Sequence, residues 1–121
     1  MFLKLNHYDL DVYQYSYSLN LEIYRPTKRL PDSERFNLIS QLRRAALSTH
    51  LNISEGSSRK SLAERKRIYE ISRGSVVEID SAIDIVVGLE YLSKEQLTAL
   101  GVLIVNTFKL LNGLINKKDN I

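Results

Sequence analysis

The sequence predicts an all-α protein, an antiparallel up-down-up-down four-helix bundle occupying one domain over residues 1–121. Three observations lead there. Apolar residues recur at spacings of three and four through four long segments, the period of one helix face. Only 5 glycines and 2 prolines interrupt the 121 residues, too few for many short strands and their turns. No run of alternating β-branched residues closes on a tight Gly or Asn turn, so no hairpin is expected. With 44% hydrophobic and 26% charged residues, the chain has the composition to bury one real core.

The first helix is expected over about residues 9–30, with Leu10, Tyr13, Tyr17, Leu21 and Tyr24 as its core stripe. Pro26 removes a backbone donor and crowds the preceding turn, so it should kink or end the element, and Pro31 stops it. Asp32 or Ser33 is placed to cap the second helix, about 33–56, whose stripe is Ile39, Leu42, Ala46, Thr49 and Ile53. Gly56-Ser57-Ser58 reads as its C-terminal cap and turn. Ser61 and Glu64 form a capping box for the third helix, about 62–89, with Ile68, Ser72, Ser75, Ile79, Ala82, Val86 and Leu89. Ser93 and Gln96 repeat the box before the fourth, about 94–116, with Leu97, Leu100, Ile104, Phe108, Leu111 and Ile115. The tail from Asn116 to Asn120 is expected to fray. Helices of roughly 20–28 residues span about 30–40 Å, and their short loops favour antiparallel neighbours. Ala45, Ala46, Ser48, Gly74 and Ser75 are small enough to let helices approach closely.

Two helices carry more apolar surface than one bundle uses. Val12, Tyr15, Leu19 and Ile23 form a second series on helix one, about 200° around from the first. Leu103, Leu110 and Leu114 do the same on helix four. A helix in a monomeric bundle needs only one apolar side. The second series is therefore assigned to a subunit interface, giving a homo-oligomer; residues that simply widen the core are the other reading.

Catalytic signatures are missing. Without cysteine, a disulfide framework, a thiolate zinc site and a cysteine nucleophile are excluded together. His7 and His50 belong to no ligand-spaced cluster, the glycines are scattered singly, and there is no GxSxG elbow. No metal, cofactor or enzymatic activity is expected. Neither a signal peptide nor an apolar stretch of the roughly 20 residues that span a bilayer is visible, so the expected location is cytoplasmic, with no membrane partner.

The charge is unevenly spread. Residues 35–73 carry nine Lys/Arg against three Asp/Glu, whereas residues 1–34 carry four against five and residues 74–121 four against six. Arg43, Arg44, Arg59, Lys60, Arg65, Lys66 and Arg67 are the candidate contacts to nucleic-acid phosphates, through counterion release. The competing reading is a solvated helix face with local pairs such as Glu70 to Lys66 or Arg67. Tyr69 is the only aromatic residue among these charges, so stacking on single-stranded bases is not expected.

The stretch Gln41-Leu42-Arg43-Arg44-Ala45-Ala46-Leu47-Ser48, then Asn52-Ile53-Ser54-Glu55-Gly56 and Arg59, resembles a particular family, as does Ser72-Arg73-Gly74-Ser75-Val76-Val77-Glu78. Asp9 to Gln14 and Leu110 to Leu114 match it as well. The family is the bacterial four-helix-bundle proteins encoded in intervening sequences of 23S ribosomal RNA genes. It is similar to the accessory variability proteins of diversity-generating retroelements. The resemblance implies a ring of protomers, a pentamer being favoured, and a basic surface that binds nucleic acid and, in the retroelement relatives, a reverse transcriptase. It implies no catalysis. A scaffold that docks an acidic or nucleic-acid-associated protein is the alternative role. Glu55 is expected to pair with Arg73, and Asn52 or Ser75 to hydrogen-bond across the helix interface; direct ligand contact by these residues is the other possibility. The chain departs from the family pattern at Thr49-His50-Leu51, where a proline is usual, and at Ser54, where alanine is usual. Helix two is therefore expected to be straighter, while Pro26 adds a constraint not typical of the family.

Overall fold

The computed structural model describes residues 1–118, and among these it contains four α-helices and no strand. They are α1 (Asp11–Lys28), α2 (Ser40–Ser57), α3 (Leu62–Gly88) and α4 (Thr98–Ile115). Single 3-10 turns precede α1 (Asn6–Asp9) and α4 (Glu95–Leu97). Each helix packs against two neighbours, and α4 closes the bundle onto α1. Cross-helix bonds fix the antiparallel sense: between α2 and α1, Arg43 meets Thr27 and His50 meets Ser16, and Ser54 of α2 meets His7 in the turn before α1. Ser72 meets the carbonyl of Thr49, and Tyr69 meets Ser57, between α3 and α2.

Helix α1 buries the side opposite to the one its spacing suggested. Val12, Ser16, Leu19 and Ile23 are buried, whereas Leu10, Tyr17, Leu21 and Tyr24 are exposed and Tyr13 is half-buried. The assignment of Val12, Leu19 and Ile23 to a subunit interface is therefore wrong, because these side chains fill the protomer's own core. Tyr15, of the same series, stays partly exposed. Two apolar stripes on one helix leave the choice of inner face to the partners. Ser16 and Thr27 share the inner side with the aliphatic residues, and their hydroxyls donate to backbone carbonyls of Tyr13 and Ile23. Pro26 lies inside α1, buried near its end, where the helix has only two more residues to run.

The entry to α2 also differs. Pro31 leads into a 3-10 turn, Asp32–Glu34, and then one wide π turn, Arg35–Ile39, before regular α-helix begins at Ser40. Neither Asp32 nor Ser33 makes a side-chain cap. Glu34 anchors this segment instead: its carboxylate accepts from the Tyr91 hydroxyl (2.9 Å) and from Asn37 (3.1 Å). Of the two capping boxes further along, one is complete. The Glu64 amide donates to Ser61 Oγ (3.1 Å) with no return bond from the Glu64 carboxylate among the described residues, whereas Ser93 and Gln96 bond reciprocally (2.8 and 3.3 Å).

Gly56 is not a C-cap. It is buried inside α2, where an added Cβ would lie 3.0 Å from Tyr69 Cε1, so it serves the close approach of α2 and α3. Gly74, by contrast, faces open space. Leu97 of the preceding turn and Leu100, Ile104, Leu111 and Ile115 of α4 join the core, with Leu103, Phe108, Leu110 and Leu114 packed against it. Leu103, Leu110 and Leu114 thus widen the core. By length and composition alone Glu95–Ile115 is long and apolar enough to cross a membrane, contrary to the sequence expectation. In the bundle its inner face is core. The expected fraying of the tail falls partly on Asp119 and Asn120, outside the described residues.

Candidate nucleic-acid interface

One end of the bundle gathers the start of α1, the end of α2, the turn Ser58–Ser61, the start of α3 and the end of α4. It carries Arg59, Lys60, Arg65, Lys66, Arg67, Lys117 and Lys118 against Asp9, Asp11, Glu55 and Glu64. The sequence forces this. Gly56 lets α2 run tight against α3 to its last turn, and Ser61 starts α3 after a four-residue turn. The positive end of the α3 dipole adds to the same field.

The cations there are not equivalent. Arg59 donates to Glu55 at 2.7 Å, an exposed i,i+4 pair that leaves about half of each side chain in solvent. Arg65 Nη2 donates to the Lys60 carbonyl (2.8 Å), bracing the turn, while its Nε is buried without a partner among the described residues. Lys60 and Arg67 are exposed, Lys66 is half-buried, and none of the three makes an ion pair among the described residues. The expected pairing of Glu70 with Lys66 or Arg67 is accordingly not formed.

Arg43 and Arg44 do not belong to this end. They lie near the start of α2, and fifteen residues at 1.5 Å each put Arg44 about 22 Å from Arg59. Arg43 is committed to α1: Nε donates to Thr27 Oγ1 (3.0 Å), and the guanidinium sits 4.4 Å from the Tyr24 ring centroid. Arg44 is exposed beside Gln41, Ser48 and Glu78. The seven predicted contacts thus separate into a group of five at the end and two elsewhere.

The motif residues are held inside the protomer. Glu55 pairs with Arg59, not Arg73; the Arg73 Nη1 instead reaches across to Asn112 Oδ1 of α4 (2.7 Å). A charged donor on a neutral amide avoids burying an ion pair between α3 and α4. Ser75 does cross the interface, donating to Ser48 Oγ (3.0 Å). Asn52 stays on its own helix, donating to the Ser48 carbonyl (2.8 Å) and Oγ (3.1 Å).

Sequence reasoning passed over His7, Ser57 and Lys117, which line an open cavity of about 570 Å³ at the basic end together with Arg65 and Tyr69. No local motif marks these three, because they come from three different segments, the turn before α1, the end of α2 and the stretch after α4. Burial holds the imidazoles of both His7 and His50 below their ordinary value. His7 Nε2 and Ser54 Oγ share a 2.9 Å bond, and His50 Nδ1 and Ser16 Oγ one of 2.6 Å. Among the described residues no three His, Cys, Asp or Glu side chains converge as a metal site would need.

A four-helix bundle with a cationic end and a polar α1–α2 seam is thus the class that fold and site define. The chain belongs to the family of 23S rRNA-intervening sequence proteins, whose profile matches residues 8–113. It is also similar to a protein of unknown function from the S23 ribosomal protein family of Bacteroides thetaiotaomicron, seen in a crystal structure. The two superpose with a TM-score of 0.79 at 22% identity, over 88% of this chain and 99% of that one. At that identity the likeness speaks for the fold. No functionally curated protein is detectably similar in sequence.

Proposed function

We propose that the protein is a non-enzymatic, self-associating bundle that binds RNA through phosphate contacts at its basic end. The observation that supports this is the concentration of Lys60, Arg65, Lys66, Arg67 and Lys117 around the positive end of α3, with Glu55 already engaged by Arg59. Cations at a helix start work against that helix's dipole. Their placement is better explained by an external anion than by stability. The family's description refers to 23S rRNA, which makes RNA the first ligand to test.

Binding of this kind is dominated by counterion release, so affinity falls steeply with salt and varies little with sequence. Replacing Lys60, Lys66 and Arg67 with Gln leaves the Arg65 brace of the turn intact. The triple variant should bind RNA more weakly, with a salt slope shallower by about one for each phosphate-contacting cation removed. A wild-type chain that fails to bind RNA at low salt, or binds with no salt dependence, ends this reading. Self-association is assigned to the outer face of α1, with Tyr17, Leu21 and Tyr24, beside Leu47 and Leu51 of α2; all five are exposed.

A further inference from the structure

The geometry points to the cavity at the basic end as a binding site for a terminal phosphomonoester carried on a nucleoside, either the phosphorylated end of an RNA strand or a free nucleotide. For the strand as source this rests on the RNA-binding reading. The cavity, about 570 Å³, is in the range that holds a small organic ligand. It presents two cations, Arg65 and Lys117, and none of its lining residues is acidic. A phosphomonoester, close to doubly charged near neutral pH, is the anion such a pair suits best.

The cavity wall also holds an ordered cation and a spare donor. The Arg65 guanidinium that lines it is fixed by Nη2 on the Lys60 carbonyl. A ligand oxygen beside it would gain a charge-assisted contact from a group already held in place. Ser57 Oγ and Tyr69 Oη lie 2.7 Å apart. Each carries one proton and their mutual bond uses only one, so the other is free for an acceptor. Leu5 and Leu114 supply apolar wall, which a bare phosphate would leave unused and a base or ribose would cover.

The test uses the full chain and three labelled oligoribonucleotides. One carries a 5′-phosphate, one is the same strand with a 5′-hydroxyl, and one is a 5′-hydroxyl strand longer by two nucleotides to match the charge. The phosphorylated strand should bind about tenfold more tightly than both others, the scale of one or two charge-assisted hydrogen bonds. A nucleoside 5′-monophosphate should displace it where the nucleoside does not. Arg65→Gln and, separately, Lys117→Gln should remove the preference, while affinity for the 5′-hydroxyl strands falls only by the one phosphate contact each cation supplies and stays salt-dependent. Lys117 is exposed beyond the end of α4, so its variant folds even if loss of the Arg65 brace is damaging. Saturable nucleotide binding without a strand preference assigns the free nucleotide as the source. Equal affinity for all three strands with no nucleotide binding overturns the site and leaves the polyanion reading standing. Displacement by inorganic phosphate as effective as by the nucleotide overturns the nucleoside part. No RNA binding at all, with the nucleotide still bound, ends the polyanion reading alone.

Discussion

Gly56 shows how one side chain's absence sets the geometry of the basic end. In the body of a helix, glycine costs roughly 1 kcal/mol relative to alanine, so its presence there needs a reason. A Cβ would meet Tyr69 at 3.0 and 3.1 Å and Ile68 at 3.3 Å. Tyr69 is buried and tethered through its hydroxyl to Ser57, so the ring has little freedom to withdraw. Overpacking of this kind costs about 1–3 kcal/mol, more than the propensity gain returns. Gly56→Ala should therefore lower stability by about 1 kcal/mol, read from the urea midpoint at unchanged slope; an increase would mean that Tyr69 yields. His50 offers a second residue-level test. Its imidazole, placed by burial below the ordinary value of 6.5, takes up a proton first in the unfolded chain. Its contribution is thus fully present above the unfolded value and lost as pH falls through the folded one. Between pH 7.5 and 5.5 the protein should lose stability, and His50→Asn should flatten part of that loss in denaturation series across the window.

At the scale of elements, the N-terminal signals of α3 and α4 were legible because capping is local chemistry. Ser93 and Gln96 make both expected bonds and Ser61 makes the bond to the Glu64 amide, whereas the caps read at Asp32 or Ser33 and at Gly56 do not form. What the sequence concealed depends on neighbours. The inner face of α1 could not be read from two equally spaced stripes, since the aromatic one looks like core. Its tyrosines instead flank α2, where Tyr13 lies 4.5 Å from the His50 ring and Tyr24 lies under Arg43. His50 and Ser54, in the stretch where the chain departs from the family pattern, both bond to the α1 side of the bundle. The end of α3 falls at Gly88, within one residue of the expected position, but the turn that follows was hidden. The chain turns there through Glu90 at φ 62°, with the Tyr91 amide bonded back to the Val86 carbonyl (3.1 Å). Glycine favours this left-handed position and Gly88 stands two residues too early to fill it. An L-residue there carries roughly 1–2 kcal/mol of strain. Glu90→Gly should accordingly raise stability by about 1 kcal/mol in thermal or chemical unfolding, since the Glu90 side chain is exposed and makes no ion pair among the described residues.

For the whole molecule, exchanging the two faces of α1 changes what assembly requires. Leu19 and Ile23 are fully buried in the protomer, whereas Leu21 is 60% exposed and Leu47 of the adjacent helix 50%. With Tyr17, Tyr24 and Leu51 they make an apolar surface on the α1–α2 side, away from most of the cations at the bundle's end. Self-association through it would leave that end free for RNA, and several copies would multiply weak phosphate contacts into one avid surface. Leu21→Glu combined with Leu47→Glu puts charge on exposed positions only, so helix content and urea midpoint should stay close to wild type. The mass in solution, measured by light scattering on a sizing column, should fall to the 13.9 kDa of one chain, and RNA affinity should fall with it. Leu19→Glu buries a charge in the core and should instead unfold the protomer. A double variant that keeps the wild-type mass would move the interface elsewhere, with the exposed Val102 and Val105 of α4 the next surface to charge. A wild-type chain that is already one copy would remove avidity from the binding mechanism and leave the single basic end to act alone.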